Sequence, residues 1–316
     1  MKFDRIKIIT NVENISGIDT NKFVENCKNG TTLYYKYSQN VPFHVCIIAN
    51  YQTGELSVEF TGKILLDDYK HLISKDNIRT CFQKINQMGI CNLDIDNIIN
   101  DAIVVKCDVT QDVNTKCLSE IISYVKLNIK NYRKWIVKQY RDGIVIENTV
   151  KTPKHKKRLI IYQKGNELQK AANNSFLNAL ENRASMLQYY NDVVRFELNI
   201  NTMKQIRDLL GIDDNRLCKV LNATTNPILS VINQTIKFTD NQSAYDVMTL
   251  REYERKLLIE SCSYDMNEIE MKLRSLMSKN TSITRLLKPY RELCTKLLEV
   301  NSSEIFDFRK LLEDDE

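Results

Sequence analysis

Apolar and polar residues alternate along most of the first two thirds of the chain, which is the period-2 pattern of half-buried β-strands. The alternating runs are rich in Ile, Val, Tyr and Phe, the residues that a pleated, half-buried surface favours. Helical spacing between these runs predicts helices at 76–88, 114–129 and 165–187. The alternation predicts strands at 3–10, 32–38, 43–50, 55–62, 102–110, 143–148, 158–164 and 192–200.

After about residue 203 the strand pattern gives way to apolar residues three and four positions apart, as in amphipathic helices. Clusters of Asn, Ser, Thr and Asp separate these stretches and are typical of helix caps and turns. The change predicts an α+β domain over 1–212, a mostly antiparallel sheet with helices on one face, and an all-helical region over 213–316. Helices are predicted at 203–210, 213–222, 226–237, 243–260, 265–278, 281–298 and 303–313.

The composition is that of a globular protein, with 43% apolar and 27% charged residues in a chain of 316. No apolar run approaches the roughly 18 residues that a membrane span needs. The first residues have charges among their apolar positions, unlike a secretory signal. The nine cysteines form no CxxC pair, which favours free thiols over a disulfide framework. We therefore expect a cytoplasmic protein that does not act at a membrane.

Two common kinds of catalytic chemistry have no motif in this chain. The three histidines are isolated, with no HxH or HExxH pair, so any metal site must be built mainly from carboxylates. The chain also has no GxGxxG or GxxxxGK[ST] loop, so nucleotide hydrolysis of the P-loop kind is not supported.

Strand alternation places acids on the polar faces of three separate strands, namely Glu59, Asp108 and Glu197. In the strand 158–164 it places Tyr162 and Lys164 on one face with Arg158. One interpretation is a solvated sheet surface, since the polar face of an antiparallel sheet normally meets water. The other is a cluster of carboxylates held together by Mg²⁺ or Mn²⁺ beside a tyrosine, because oxygen ligands suit these ions.

A basic run leads directly into the strand that carries Tyr162. Clustered cations of this kind suit a polyanion, since neutralising phosphates releases counterions, although a solvated basic loop is the equally valid alternative. The run contains Lys151, Lys154, His155, Lys156, Lys157 and Arg158.

Four segments in a fixed order resemble the replication initiators of filamentous bacteriophages (the gene II and gene X products) and their phage and plasmid relatives. They are "LSVEFTGKIL", "AIVVKCDVT", "KKRLIIYQKGNELQ", and "DVVRFELNI" followed by "TMKQIRDLLGI". The resemblance covers about residues 50 to 212 and implies a nuclease-type α+β domain. It also implies a protein that nicks one DNA strand at an origin, becomes joined to the 5′ end through a tyrosine, and later reseals the displaced strand.

Carried over by position, the resemblance implies that Tyr162 is the nucleophile, with Lys164 near the phosphate or lowering the pKa of the tyrosine. It implies Asp108 and Glu197 as ligands of Mg²⁺ or Mn²⁺, with Glu59 as a third ligand. The basic run, Lys106 and Arg195 would contact DNA, and Arg195 would either clamp a phosphate or pair with one of these three acids. The implied partners are phage or plasmid origin DNA, both supercoiled duplex and displaced single strand, and the host replication machinery.

Two other hypotheses remain open from the sequence. One is a DNA-binding module of the same fold that regulates replication or copy number without cutting. The other is an ordinary α+β protein whose acids and basic run are simply solvated. The region 213–316 either packs against the first domain or binds DNA.

Overall fold

The alternating segments form a single antiparallel sheet of ten strands in the computed structural model, which describes residues 1–28, 30–131, 133–152, 156–237, 249–276, 282–301 and 308–313. The strands are β1 (Phe3–Asn11), β2 (Ile15–Ser16), β3 (Val24–Lys28), β4 (Thr31–Gln39), β5 (Val45–Asn50), β6 (Glu55–Thr61), β7 (Asn92–Leu93), β8 (Ile103–Asn114), β9 (Trp135–Tyr140), β10 (Gly143–Asn148), β11 (Arg158–Gln163) and β12 (Val193–Ile200). The order across the sheet is β3-β4-β5-β6-β1-β8-β12-β11-β10-β9, and β2 and β7 pair separately.

Helices fill the connections and most of the last third of the described chain. They are α1 (Ile78–Gln87), α2 (Ile95–Asp101), α3 (Leu118–Leu127), α4 (Lys164–Leu168), α5 (Asn174–Asn178), α6 (Arg183–Tyr189), α7 (Met203–Leu210), α8 (Leu217–Leu221), α9 (Pro227–Thr235), α10 (Leu250–Ser261), α11 (Met266–Leu276), α12 (Ile283–Asn301) and α13 (Phe308–Glu313). The predicted α+β class, with a large antiparallel sheet and a helical C-terminal region, is confirmed.

One face of the sheet carries the main apolar core. Alternate residues of the strands, such as Ile6, Val58 and Phe196, pack there against helices α1, α2, α3, α7, α8, α9 and α13. This core includes side chains from both sides of residue 212, among them Ile206 and Ile232. The division of the chain at residue 212 stays a prediction.

The other face of the sheet is only partly covered. The 3-10 segment Gly62–His71 and helices α4 to α6 pack over part of it around Tyr69, Phe176 and Tyr190. Outside the part that these helices cover, polar side chains such as Lys106 are partly exposed. We call this whole face of the sheet the polar face.

Helices α10, α11 and α12 share a separate small core that includes Ile259, Ile269 and Leu287. An ion pair of 2.9 Å between Lys126 and Asp265 connects α3 to the residue just before α11. Within the described residues, no helix has the length and apolar character required to cross a membrane.

The structure differs from the predicted elements chiefly near Tyr162. The strand predicted at 158–164 ends at Gln163, and the helix predicted at 165–187 is three short helices and a 3-10 turn. Asparagines interrupt this stretch, and Asn182 caps α6 by accepting a hydrogen bond from the Ser185 amide.

Other differences are smaller. Strands β2, β3, β7 and β9 and helix α2 were not predicted, and residue 114, predicted as helix, belongs to β8. Parts of the helices predicted at 243–260, 265–278, 281–298 and 303–313 lie outside the described residues.

Candidate active site

Tyr162 lies on β11, on the polar face, where its side chain is partly exposed. Its hydroxyl donates a hydrogen bond to Oε2 of Glu197 on the neighbouring strand β12, at 3.1 Å. The sheet register pairs Tyr162 with Arg195, and Ile160 with Glu197, so the bonded side chains are diagonal neighbours. Long side chains reach one another at this spacing. The register of β11 against β12 therefore creates the contact.

Asn199 joins Glu197 to a second carboxylate, Asp108 on β8. Its Nδ2 donates to Oδ1 of Asp108 at 2.9 Å and to Oε1 of Glu197 at 3.1 Å. Burial raises the pKa of Asp108, and burial together with the charges of Asp4 and Asp108 raises the pKa of Glu197 to about 7. Two acids thus meet in a poorly solvated place where ionisation of both is costly.

The chemistry of Asp108 and Glu197 fits a divalent metal ion. Mg²⁺ in proteins is commonly bound by one or two carboxylates, with water and substrate phosphate oxygens completing its coordination. In the described part of the chain, no group of three or more His, Cys, Asp or Glu side chains could hold a metal ion. The protein would therefore contribute two carboxylates.

Glu59 does not join these acids, and its prediction as a third ligand is corrected. It lies on β6, whereas Asp108 lies on β8. Strand β1 runs between them, so β6 and β8 are about 10 Å apart. Its carboxylate pairs with Arg5 at 2.5 Å and with Lys7 at 3.8 Å. Strand alternation identified the correct face, but the order of strands in the sheet decides which acids converge.

Asp4 stands near the site and was not predicted. It accepts hydrogen bonds from the Tyr69 hydroxyl at 2.6 Å and from Nη1 of Arg195 at 3.0 Å. Burial opposes its ionisation, but the charges of Arg195, Lys164 and Lys63 and the hydrogen bond from Tyr69 together outweigh burial and lower the pKa of Asp4. Strict alternation would place Asp4 with Ile6 and Ile8 on the apolar face. The pairing of β1 with β8 shifts register between Phe3 and Arg5, and no sequence signal announces that shift.

Arg195 is fully buried, and this differs from the expectation that it contacts DNA. Its guanidinium makes a bidentate pair with Asp112 at 2.6 and 2.7 Å and also reaches Asp4. Nη1 and Nη2 further donate to the hydroxyls of Tyr69 and Tyr190 at 2.7 and 3.2 Å. The alternative predicted for it, pairing with Asp108, Glu197 or Glu59, is not observed either, since its acid partners are Asp4 and Asp112.

Lys164 begins α4 instead of continuing the strand, so it does not share the strand face of Tyr162. It is buried, its Nζ lies 5.8 Å from the centre of the Tyr162 ring, and it pairs with Glu167 at 2.6 Å. The pKa of the Tyr162 hydroxyl is raised well above its ordinary value, by burial first and the Glu197 charge second. The expectation that Lys164 lowers this pKa is therefore not supported.

Several cations lie on the polar face beside the acids. Lys106 stands directly opposite Lys7 of β1, and like charges in that position repel unless an anion lies between or above them. Arg158 is exposed and pairs across the sheet with Asn199 and Glu147. Lys106 and Arg158, both predicted DNA contacts, thus share the surface that holds Tyr162.

The predicted basic run is only partly described by the structure. Lys151 is exposed, Lys156 pairs with Glu147 at 3.4 Å, and Lys157 lies immediately before β11. Lys154 and His155 lie outside the described residues.

One comparison with known proteins found a similarity that covers the candidate site. Residues 74–215, a little under half of the chain, match the family described as the N-terminal region of the replication-associated gene II protein. This match confirms the resemblance seen in the sequence: over residues 74–215 the chain is similar to the filamentous-phage gene II replication initiator family. The matched residues include Asp108, Tyr162 and Glu197. Comparisons with curated proteins and with solved structures gave no match.

Proposed function

We propose that the protein is a replication initiator that nicks one strand of its origin DNA with Tyr162 as the nucleophile and later reseals the displaced strand. The hydrogen bond from the Tyr162 hydroxyl to Glu197 is the observation that supports this most directly. A nucleophile in contact with a group able to accept its proton is the arrangement that covalent catalysis requires. The proposal concerns a site-specific DNA endonuclease and joining enzyme with a 5′-phosphotyrosine intermediate.

In the nicking step the Tyr162 oxygen attacks the scissile phosphorus, and the bond from phosphorus to the 3′ oxygen breaks. The tyrosine proton passes to the Glu197 carboxylate, and the departing 3′ oxygen takes a proton from solvent. Because its pKa is raised, the hydroxyl is protonated before attack, so a proton acceptor within hydrogen-bond reach is needed. The products are a free 3′ hydroxyl and a phosphotyrosine ester on the 5′ end.

Asp108 and Glu197 are the residues that would hold Mg²⁺ or Mn²⁺ in this scheme. Such an ion, when bound, neutralises charge that develops on the phosphate oxygens. Asn199 orients both carboxylates through its two hydrogen bonds and keeps them adjacent. The buried cluster of Arg195, Asp112 and Asp4 supports the site from the covered part of the polar face.

The exposed cations of the polar face would bind the DNA backbone. Lys106 and Arg158 of this face, together with Lys151 of the basic run, can neutralise phosphates without reading sequence, which supplies affinity and orients the strand over Tyr162. We propose supercoiled origin DNA and the displaced single strand as substrates. The released 3′ hydroxyl would serve as primer for the host replication machinery.

Resealing would follow the same path in reverse. A 3′ hydroxyl attacks the phosphorus of the phosphotyrosine ester, the bond to Tyr162 breaks, and the tyrosine oxygen recovers a proton. The ester conserves the energy of the original phosphodiester bond, so joining needs no nucleotide cofactor. The absence of a P-loop motif from the sequence is consistent with this.

The test uses the purified protein, Mg²⁺ or Mn²⁺, and supercoiled DNA carrying its own origin. We expect relaxed circles with protein attached to the 5′ end of the nick, and no attachment with Tyr162→Phe. Tyr140→Phe is a matched control, because Tyr140 is an exposed tyrosine on the edge strand β9 of the same sheet. Nicking that persists in Tyr162→Phe would exclude the mechanism, and origin binding without any nicking would favour the non-cleaving regulator instead.

A further inference from the structure

A cavity of about 430 Å³ lies between the paired ends of β9 and β10 and the C-terminal end of α9. The cavity is separate from the residues around Tyr162, and its volume is in the range of small-molecule binding sites. We call it the β9–β10 cavity, and it is lined by Asn131, Lys134, Trp135, Asn148, Lys157 and Gln234.

The charge of this lining suits an anion. Two of the six residues are lysines and none is acidic. Among the described residues, neither Lys134 nor Lys157 has an ion-pair partner, whereas neighbouring Lys138 and Lys156 both pair with Glu147. Two lysines that line one cavity without an ion-pair partner among the described residues favour a phosphate.

The amides of the lining suit a nucleobase. Asn131 and Asn148 each use Oδ1 to accept a backbone amide, from Arg133 at 3.0 Å and from Lys157 at 3.2 Å. These bonds hold both side chains in place, and within the described structure their Nδ2 groups have no protein partner. Fixed Asn and Gln amides are the groups that recognise base edges.

We propose that the β9–β10 cavity binds one nucleotide of a DNA strand. Lys134 and Lys157 contact its phosphate, and the amides of Asn131, Asn148 and Gln234 contact its base. Trp135, only 4% exposed, forms an apolar wall beside the base. The assignment of the ligand to a DNA strand depends on the proposed function, whereas nucleotide binding by the cavity can be measured independently of it.

The position of the cavity suggests what it does for the initiator. Lys157 precedes Tyr162 by five residues along one extended segment, which corresponds to about 17 Å. Stacked nucleotides repeat about every 3.4 Å along a strand, so about five of them cover that distance. A nucleotide held in the cavity would set which phosphate of the same strand reaches Tyr162, and the cavity would thus contribute to the choice of nick position.

Trp135 provides a direct measurement, because it is the single tryptophan of the chain and it lines the cavity. Its fluorescence is recorded in the full-length protein during titration with each of the four deoxynucleoside monophosphates. Inorganic phosphate and uncharged deoxynucleosides are titrated separately. We expect saturable quenching by at least one monophosphate, and weaker binding of phosphate or nucleoside alone.

Lys134→Ala and Lys157→Ala should each weaken the monophosphate by about tenfold or more, since each removes a charge-assisted contact. Lys204→Ala, an exposed lysine on α7, is the matched control and should bind as the wild type does. Tyr162→Phe should also bind normally, which separates this result from any failure of the nicking proposal.

Three outcomes would overturn the proposal. The first is the absence of saturable quenching at millimolar monophosphate. The second is equal quenching in the wild type and in the Lys134→Ala and Lys157→Ala variants. The third is that inorganic phosphate binds as tightly as each of the four monophosphates. The cavity would then be an anion site that does not recognise a base.

Discussion

The Tyr162 hydroxyl and the Glu197 carboxylate meet across two antiparallel strands at 3.1 Å, and this contact connects the fold to the proposed chemistry. Neither residue belongs to a loop. Both project from inner strands of a ten-stranded sheet whose other face carries the main core. Residues on packed strands are held more precisely than residues on loops, which suits a reaction that depends on in-line positioning.

Glu197→Gln should abolish most nicking while leaving DNA affinity nearly unchanged. The substitution keeps the size of the side chain but removes the proton acceptor of Tyr162 and one of the two carboxylates that would hold the metal ion. General-base catalysis alone contributes about 10²- to 10⁴-fold. Single-turnover cleavage of an origin oligonucleotide measures the effect, with Glu181→Gln, an exposed acid outside the site, as control. Nicking by Glu197→Gln at the wild-type rate would contradict the role of Glu197.

Arg195→Leu should destabilise the protein and leave the salt dependence of DNA binding unchanged. Removing Arg195 leaves Asp4 and Asp112 without their buried cation, which costs about 3 to 5 kcal/mol of unfolding free energy. Urea denaturation measures the loss. If Arg195 instead contacts a DNA phosphate, Arg195→Leu will be as stable as the wild type, and its DNA affinity will depend less on salt concentration.

Lys106→Ala and Arg158→Ala should each reduce the slope of log affinity against log salt by about one, because each would remove one phosphate contact. Both side chains are on the polar face and should contribute nothing to sequence preference. Fluorescence anisotropy with a labelled oligonucleotide at several salt concentrations gives the slope. Lys204→Ala, on the helix-covered side of the sheet, is the control. Equal salt slopes in the wild type and all three variants would mean that DNA does not bind on the polar face.

Gly143→Ala should impair nicking by displacing Tyr162. Gly143 pairs directly with Tyr162, and an added Cβ would collide with the Ile161 carbonyl oxygen and lie 2.7 Å from Cβ of Tyr162. Overpacking of this kind costs about 1 to 3 kcal/mol. Val145→Ala is the matched control, because it weakens the same strand without pressing on Tyr162. Equal nicking losses in the two variants would show that only stability had changed.

Glu167→Gln should destabilise the protein near neutral pH but not in acid. Burial opposes ionisation of Glu167, yet the charges of Lys164 and Lys63 and the hydrogen bonds from Lys164 and Asn173 together outweigh burial and lower the pKa to about 2. A lowered carboxyl pKa contributes stability above about pH 4.5, and the contribution is lost as the pH falls towards 2. The difference from wild type should be about 3 kcal/mol at pH 7.

Urea denaturation at several pH values measures the Glu167 contribution. The curves of wild type and Glu167→Gln should converge as the pH falls below about 4.5. Glu181→Gln, whose side chain is exposed, should follow the wild type throughout. A constant difference between wild type and Glu167→Gln at every pH would mean that lost packing is responsible, and not lost charge.

The sequence by itself predicted the α+β class, eight of the strands and the face on which Tyr162, Asp108 and Glu197 lie. It could do so because side-chain direction in a strand depends only on local alternation. The same local rule failed at Lys164, since β11 ends one residue earlier, and at Asp4, where β1 shifts register against β8.

Only the tertiary structure decided which of these side chains meet. Strand order keeps Glu59 away from Asp108, and the register of β11 against β12 brings the Tyr162 hydroxyl to Glu197. Packing of the 62–71 and 164–190 segments over part of the polar face turns Arg195 into a buried partner of Asp4 and Asp112. Contacts of this kind join residues far apart in the chain, and the energy that selects them comes from the whole core and not from any local pattern.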